Sequence, residues 1–156
     1  MLRRAAYSRY KPIHSVDVVI NERLYLCRHI INIANISEAI ISNLHLTLRV
    51  VHFENMTFED QVSSLRATNV LISMHGAGLS NIIFLQPGST VIEILYPLLK
   101  APFYRFLSLY ASVNYIPIRD VIPLNDSCCN QLKWNPYLSM NLIVNEMAVI
   151  DAIVNL

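Results

Sequence analysis

Residues 69–95 read NVLISMHGAGLSNIIFLQPGSTVIEIL, and this stretch restricts the fold more than any other. Asn69-Val70-Leu71-Ile72-Ser73-Met74 carries no charge and is rich in β-branched residues, the pattern of a fully buried strand. It runs into a turn that holds Gly76 and Gly78, then a short helix over 79–84, then a second apolar strand over 90–95 that contains Glu93. The chain has 3 glycines, so two of them stand in this one turn. Glycine so placed predicts a backbone that reaches φ > 0 or approaches something closely. The third, Gly88, follows Pro87, where a turn is expected. A strand that turns over glycines into a helix leaves unpaired N–H groups at the helix start, and these suit an anion such as a diphosphate. An ordinary strand–helix turn capped by His75 fits the same residues.

The rest of the chain supplies the context for that unit. Residues 1–14 are basic and irregular and read as a truncated lead-in. Val16 to Ile20 is a short strand, and Asn32 to Leu44 places Ile33, Ile36, Ile40, Ile41 and Leu44 on one helical face. Leu46 to Phe53 alternates as a strand does. Thr57-Phe58-Glu59-Asp60 has the form of a capping box and opens a helix to Arg66. After the central unit, Pro102 to Ala111 predicts a helix and Val113 to Pro117 a strand. Residues 120–137 read as a loop. Residues 139–156 read as an amphipathic helix with Met140, Ile143, Met147, Ile150 and Val154 as its apolar stripe. Strands that alternate with helices imply an α/β fold, a Rossmann-like parallel sheet with flanking helices. Such sheets bind ligands beyond the carboxyl ends of their strands, which is where His75 and Glu93 fall.

Size and charge narrow the function. With 156 residues, one domain over 15–156 is expected. A net charge of +1 gives no electrostatic case for nucleic acid or for an anionic membrane surface. Hydrophobic residues make up 54% and charged residues 15%, which implies a large core or a face that another domain covers. No run approaches the ~18 apolar residues of a membrane span, and the N-terminus lacks the apolar stretch of a signal peptide. Cys27, Cys128 and Cys129 are too few for a disulfide framework and lack zinc spacing. No Asp-x-Asp occurs, and no metal cluster is visible.

His75-Gly76-Ala77-Gly78-Leu79-Ser80-Asn81, with Phe84-Leu85, Pro87-Gly88 and Val91-Ile92-Glu93 behind it, resembles the signature of one glycosyltransferase family. That family includes plant core β-1,2-xylosyltransferase, the EGF-domain-specific O-GlcNAc transferase and the protein O-mannose β-1,4-N-acetylglucosaminyltransferase. Arg28-His29-Ile30-Ile31-Asn32 with Glu38, then Phe53-Glu54 and Phe58 to Gln61, resemble its upstream segments, and the likeness covers residues 18–118. Asn21-Glu22-Arg23 departs from the Ser-Arg pair that the family usually has after its first strand.

The resemblance implies the C-terminal, nucleotide-sugar-binding half of a two-domain GT-B-type enzyme. Its partners would be a UDP-sugar donor, a glycan or glycoprotein acceptor, and an N-terminal acceptor domain that this sequence does not contain. It implies inverting transfer of xylose or N-acetylglucosamine without a metal or other cofactor, in the lumen of the Golgi or endoplasmic reticulum behind an N-terminal anchor. Gly76, Ala77, Gly78 and Leu79 would wrap the diphosphate, and His75 would donate to it or cap the turn. Asn81 would reach phosphate, ribose or the loop itself. Glu93 would take the ribose hydroxyls or sit in a salt bridge. Arg28 would offset the charge of the leaving diphosphate, with Asn32 beside it. No convincing general base is visible, and the N-terminal half would supply it. Two other readings fit the chain: a non-catalytic nucleotide- or partner-binding remnant, and an unrelated dinucleotide oxidoreductase. The missing third glycine of G-x-G-x-x-G speaks against the latter.

Overall fold

The computed structural model describes residues 17–22, 28–124 and 140–156. All three cysteines, Cys27, Cys128 and Cys129, lie outside the described residues, as do the lead-in and most of the expected loop.

Five strands form one parallel sheet: β1 (Asp17–Asn21), β2 (Thr47–Val51), β3 (Val70–Met74), β4 (Thr90–Ile94) and β5 (Asn114–Ile118). Their order across the sheet is β2-β1-β3-β4-β5. The chain thus leaves β1 toward one edge and returns to the other side of it at β3. The strands that carry the least polar sequence lie innermost. Every residue of β3 and of β4 is buried, including Ser73 and Glu93.

Four α-helices and a 3₁₀ helix cover the sheet: α1 (Ile33–Leu44), α2 (Phe58–Arg66), the 3₁₀ helix Ala77–Phe84, α3 (Phe103–Tyr110) and α4 (Glu146–Val154). Side chains alternate across each strand, so the sheet has two cores. Val18, Ile20, Ile72, Ile92 and Ile94 pack with Ile36 and Ile40 of α1 and with Val149 and Ile153 of α4. Val19, Leu71 and Val91 pack on the opposite face with Leu65 of α2, Leu79 and Ile82 of the 3₁₀ helix, and Tyr104 of α3. The three-layer α/β architecture read from the sequence is therefore the one present. The N-cap expected at α2 is also formed: Asp60 N–H donates to Thr57 Oγ1 at 3.2 Å, and the Thr57 hydroxyl donates to Asp60 Oδ2 at 2.8 Å.

The C-terminal part corrects the sequence reading. Val121–Leu124 is a strand, β6, rather than the start of a loop, and it pairs antiparallel with β7 (Asn141–Val144). The expected helix over 139–156 therefore begins only at Glu146, where the Asn145 side chain caps it by accepting from Met147 N–H at 3.0 Å. Its buried residues are Val149, Ile150 and Ile153, whereas Met147 is 59% and Val154 56% exposed, so the expected stripe is rotated. The three apolar residues Leu142, Ile143 and Val144 fit one helical turn or one strand equally well, and remote partners decide here. Ile30 bridges Leu142, Leu142 N–H donates to His29 O at 2.9 Å, and Ile31 N–H donates to Leu142 O at 2.9 Å.

Two smaller corrections concern local geometry. The short helix after the glycine turn is 3₁₀ and starts at Ala77. Gly88 is the glycine with a left-handed backbone, φ 86°. Gly76 is extended at φ 165°, and Gly78 is not among the positive-φ residues, so the first two glycines are not there to reach φ > 0.

Candidate functional site

The order of the strands locates a crevice. Helices leave β1 and β3 toward opposite faces, so the carboxyl ends of these two neighbours open a gap, the general ligand site of such sheets. Asn21 ends β1 there, and His75 follows β3.

Gly78 is held against Asn21. A Cβ on Gly78 would stand 2.8 Å from Asn21 Nδ2, whereas one on Gly76 would meet nothing nearer than Met74 O at 3.9 Å. Close approach, not backbone conformation, is what requires glycine at 78. Asn21 itself is buried. Its Nδ2 donates to Ser73 Oγ at 3.3 Å, and its Oδ1 accepts from Phe53 N–H at 3.3 Å. The residue first read as a departure from the family pattern is thus a brace for the turn. The first bond of the 3₁₀ helix is Leu79 N–H to Gly76 O at 3.0 Å, so the N–H groups of Ala77 and Gly78 precede its first closed turn.

His75 is fixed from behind. Its Nδ1 lies 2.5 Å from Glu93 Oε1, and Glu93 is fully buried. The other carboxylate oxygen accepts from the Tyr115 hydroxyl. A carboxylate only accepts, so the hydrogen in the imidazole–carboxylate contact lies between Nδ1 and Oε1, and Nε2 is the ring nitrogen left for a ligand. Burial, the bond to Glu93 and the nearby negative charge push the Tyr115 phenol well above its ordinary range. Burial likewise raises Tyr104, partly offset by its hydrogen bond with Ser80. Tyr104 stands edge-on to His75 with ring centroids 5.2 Å apart.

The remaining sequence-derived candidates separate. Ala77 is exposed beside the crevice, while Leu79 points into the core. Asn81 Nδ2 donates to Gln61 Oε1 at 2.8 Å, which ties the 3₁₀ helix to α2. Asn32 Nδ2 donates to Val144 O at 2.7 Å and to Glu146 Oε1 at 2.6 Å, and its Oδ1 accepts from Val144 N–H at 3.0 Å. Asn32 is therefore a clamp on β7. Arg28 has φ 84°, and its N–H donates to Asn141 Oδ1 at 3.0 Å. The backbone of Arg28 is thereby docked on β7 rather than at the glycine turn.

A second polar group adjoins the end of β1. Glu22 lies 3.7 Å from His29 Nδ1, and His52 Nδ1 lies 3.1 Å from the Glu22 carbonyl. Burial raises the Glu22 carboxyl above its ordinary value, and the two imidazoles partly offset this. The folded chain then holds this proton more tightly than the unfolded one. Stability accordingly declines as pH rises from the ordinary carboxylate value to the raised one, and levels off above it. Glu22→Gln should remove that decline. Melting temperatures of both proteins from about pH 4 to pH 7 should diverge in favour of the variant as pH rises, and parallel curves would contradict the assignment.

Among the described residues no group of three or more His, Cys, Asp and Glu side chains could hold a metal ion, and no helix is long and apolar enough to cross a membrane. A cavity of about 420 Å³ between β5 and α4, lined by Ile118, Arg119, Ala148 and Asp151 among others, contains none of the candidate residues.

The fold and crevice define an α/β protein with a glycine turn at its switch point. The chain belongs to the Glycosyltransferase 61 family, whose profile matches residues 1–92. It is 30% identical over 114 residues to human protein O-linked-mannose beta-1,4-N-acetylglucosaminyltransferase 2, covering 69% of this chain and 20% of that protein. It is 29% identical to the beta-1,2-xylosyltransferase RCN11 of Oryza sativa over 40% of this chain and 12% of that protein. It is 26% identical to the EGF domain-specific O-linked N-acetylglucosamine transferase of Drosophila melanogaster over 74% of this chain and 22% of that protein. The matched part thus spans about a fifth of the first of these relatives. Among solved structures, a diflavin flavoprotein A3 from Nostoc sp. aligns at TM-score 0.43 and 15% identity, over 69% of this chain and 80% of that one, a likeness too low to argue from.

Proposed function

We propose that this chain is the nucleotide-sugar-binding Rossmann-like domain, residues 15–156, of a two-domain GT-B-type glycosyltransferase. The whole protein would transfer xylose or N-acetylglucosamine, with inversion and without a metal, from a UDP-sugar to a hydroxyl of a glycan or glycoprotein. It would do so in the lumen of the secretory pathway. The observation that carries the reading is the single alignment of three features at one crevice: the braced glycine turn, the N–H groups ahead of the 3₁₀ helix, and His75 held on Glu93 with Nε2 left over. The backbone N–H groups stabilise negative charge as it develops on a leaving diphosphate, and His75 joins them when Nε2 carries a hydrogen. Glu93, with both oxygens engaged, acts here through His75 rather than on the ribose. The acceptor domain and the general base come from outside these residues, so the isolated chain binds donor but does not transfer sugar.

Calorimetry with UDP, ADP and NAD, each with EDTA present, tests the proposal. UDP should bind, more tightly than the other two. Preference for NAD, or binding of UDP that disappears in EDTA, would sink it.

A further inference from the structure

The first turn of α3 carries an unusual side chain. Phe103 is 60% exposed. It is nonetheless held in place, with its ring edge-to-face on Tyr104, centroids 5.0 Å apart and planes at 81°. Tyr104 is buried, hydrogen-bonded with the Ser80 side chain, and stands at 5.2 Å and 64° to His75. The three rings form a series that begins at the imidazole of the crevice and ends in solvent. Exposed Phe106 lies one turn along α3 on the same face as Phe103, and exposed Leu109 and Tyr110 lie further along the helix.

We propose that Phe103 is the platform on which the base of the bound nucleotide stacks. The inference deepens the nucleotide reading above and rests on it. Because α3 follows β4, its first turn lies on the carboxyl side of the sheet, the side on which the ligand lies. A nucleotide sets its base one ribose away from its diphosphate, and Phe103 stands one ring away from His75. Every base offers a flat π-face, so an exposed aromatic ring serves whether or not polar groups read the base edge. Stacking also removes from water the apolar surface that Phe103 now exposes. Tyr104, packed on both neighbours, keeps the outer ring from turning into the core.

The test uses the 156-residue chain and its variants Phe103→Ala and Phe103→Trp, with UDP and inorganic pyrophosphate as probes. An exposed residue can be changed without unfolding the protein, and melting temperatures check this. Phe103→Ala should weaken UDP about tenfold, at the lower end of the range for losing one stacked base. It should leave pyrophosphate binding unchanged, and Phe103→Trp should retain UDP. The uracil ring protons should move upfield in the proton NMR spectrum with the parent chain and not with Phe103→Ala. Equal UDP affinity in parent and Phe103→Ala, or equal losses for UDP and pyrophosphate, would overturn the stacking role. Failure of the parent chain to bind UDP at all would instead overturn the crevice reading, and this inference with it.

Discussion

Gly78→Val should lower the melting temperature and abolish UDP binding together. The smallest added side-chain atom would stand 2.8 Å from Asn21 Nδ2, and Phe53 Cδ2 lies 3.8 Å from the same point. Asn21 cannot swing aside freely, because its amide holds both Ser73 and Phe53 N–H. The turn must move, or Asn21 must give up partners in a buried place. Forcing methyl groups into such a site costs about 1–3 kcal/mol, and a displaced turn no longer presents its N–H groups to a phosphate. Gly76→Ala is the control. Its added carbon meets only Met74 O, at an ordinary contact distance of 3.9 Å, so stability should stay within about 0.5 kcal/mol of the parent. Thermal melts and calorimetry on both variants check this. A Gly78→Val protein that melts like its parent would show that the Asn21 contact is not made.

Removal of the imidazole at His75 should have the larger effect on stability. Glu93 has no exposure, and its two oxygens are served by His75 and Tyr115. In His75→Ala one oxygen of a buried carboxylate loses its partner. Breaking a buried, hydrogen-bonded pair from one side costs about 3–5 kcal/mol. Glu93→Gln is gentler and more informative. A neutral amide keeps the shape but offers one accepting oxygen to two donors, for a loss of about 1–3 kcal/mol. Whichever way it turns, one of His75 and Tyr115 faces an N–H. If that is His75, Nδ1 must accept and Nε2 must carry the hydrogen, so the face shown to the ligand changes with no change at the ligand itself. UDP affinity should therefore change in Glu93→Gln even under conditions where the protein is fully folded. Unaltered affinity there and in folded His75→Ala together would remove His75 from the binding site. Chemical denaturation gives the stabilities and calorimetry the affinities.

Most of the sheet was legible because its signals are local. Five apolar or alternating runs, separated by helical runs and a capping box, became five parallel strands with boundaries within about two residues. The antiparallel β6–β7 pair was not legible, because Asn141-Leu142-Ile143-Val144 becomes a strand only through partners at 121–124 and 28–31. The candidate site divides in the same way. The turn at 75–78 could be read from glycine placement, but the reason for Gly78 lies in Asn21, 57 positions earlier, and the partner of His75 is a carboxylate on the next strand. Asn32 and Asn81 look like ligand residues in one dimension. In three, Asn32 spends both ends of its amide on β7 and α4, and Asn81 spends its Nδ2 on Gln61 of α2, so both tie elements together. Tyr104 carried no sequence signal beyond its place in the first turn after β4.

The clamp between Asn32 and β7 has a further meaning for how the chain reaches its fold. It joins positions 112 residues apart, and the bonds from Asn141 to Arg28 and His29 span 113 and 112. Contacts of such separation form late, because a long loop must close before they return any free energy. During synthesis residues 28–32 cannot make their bonds to β7 until β7 itself has left the ribosome. The β1–β5 sheet can assemble around β3 and β4 well before then. The approach to the first helix, residues 28–32, would be secured only when β7 arrives, so this short segment is fixed after the sheet beside it.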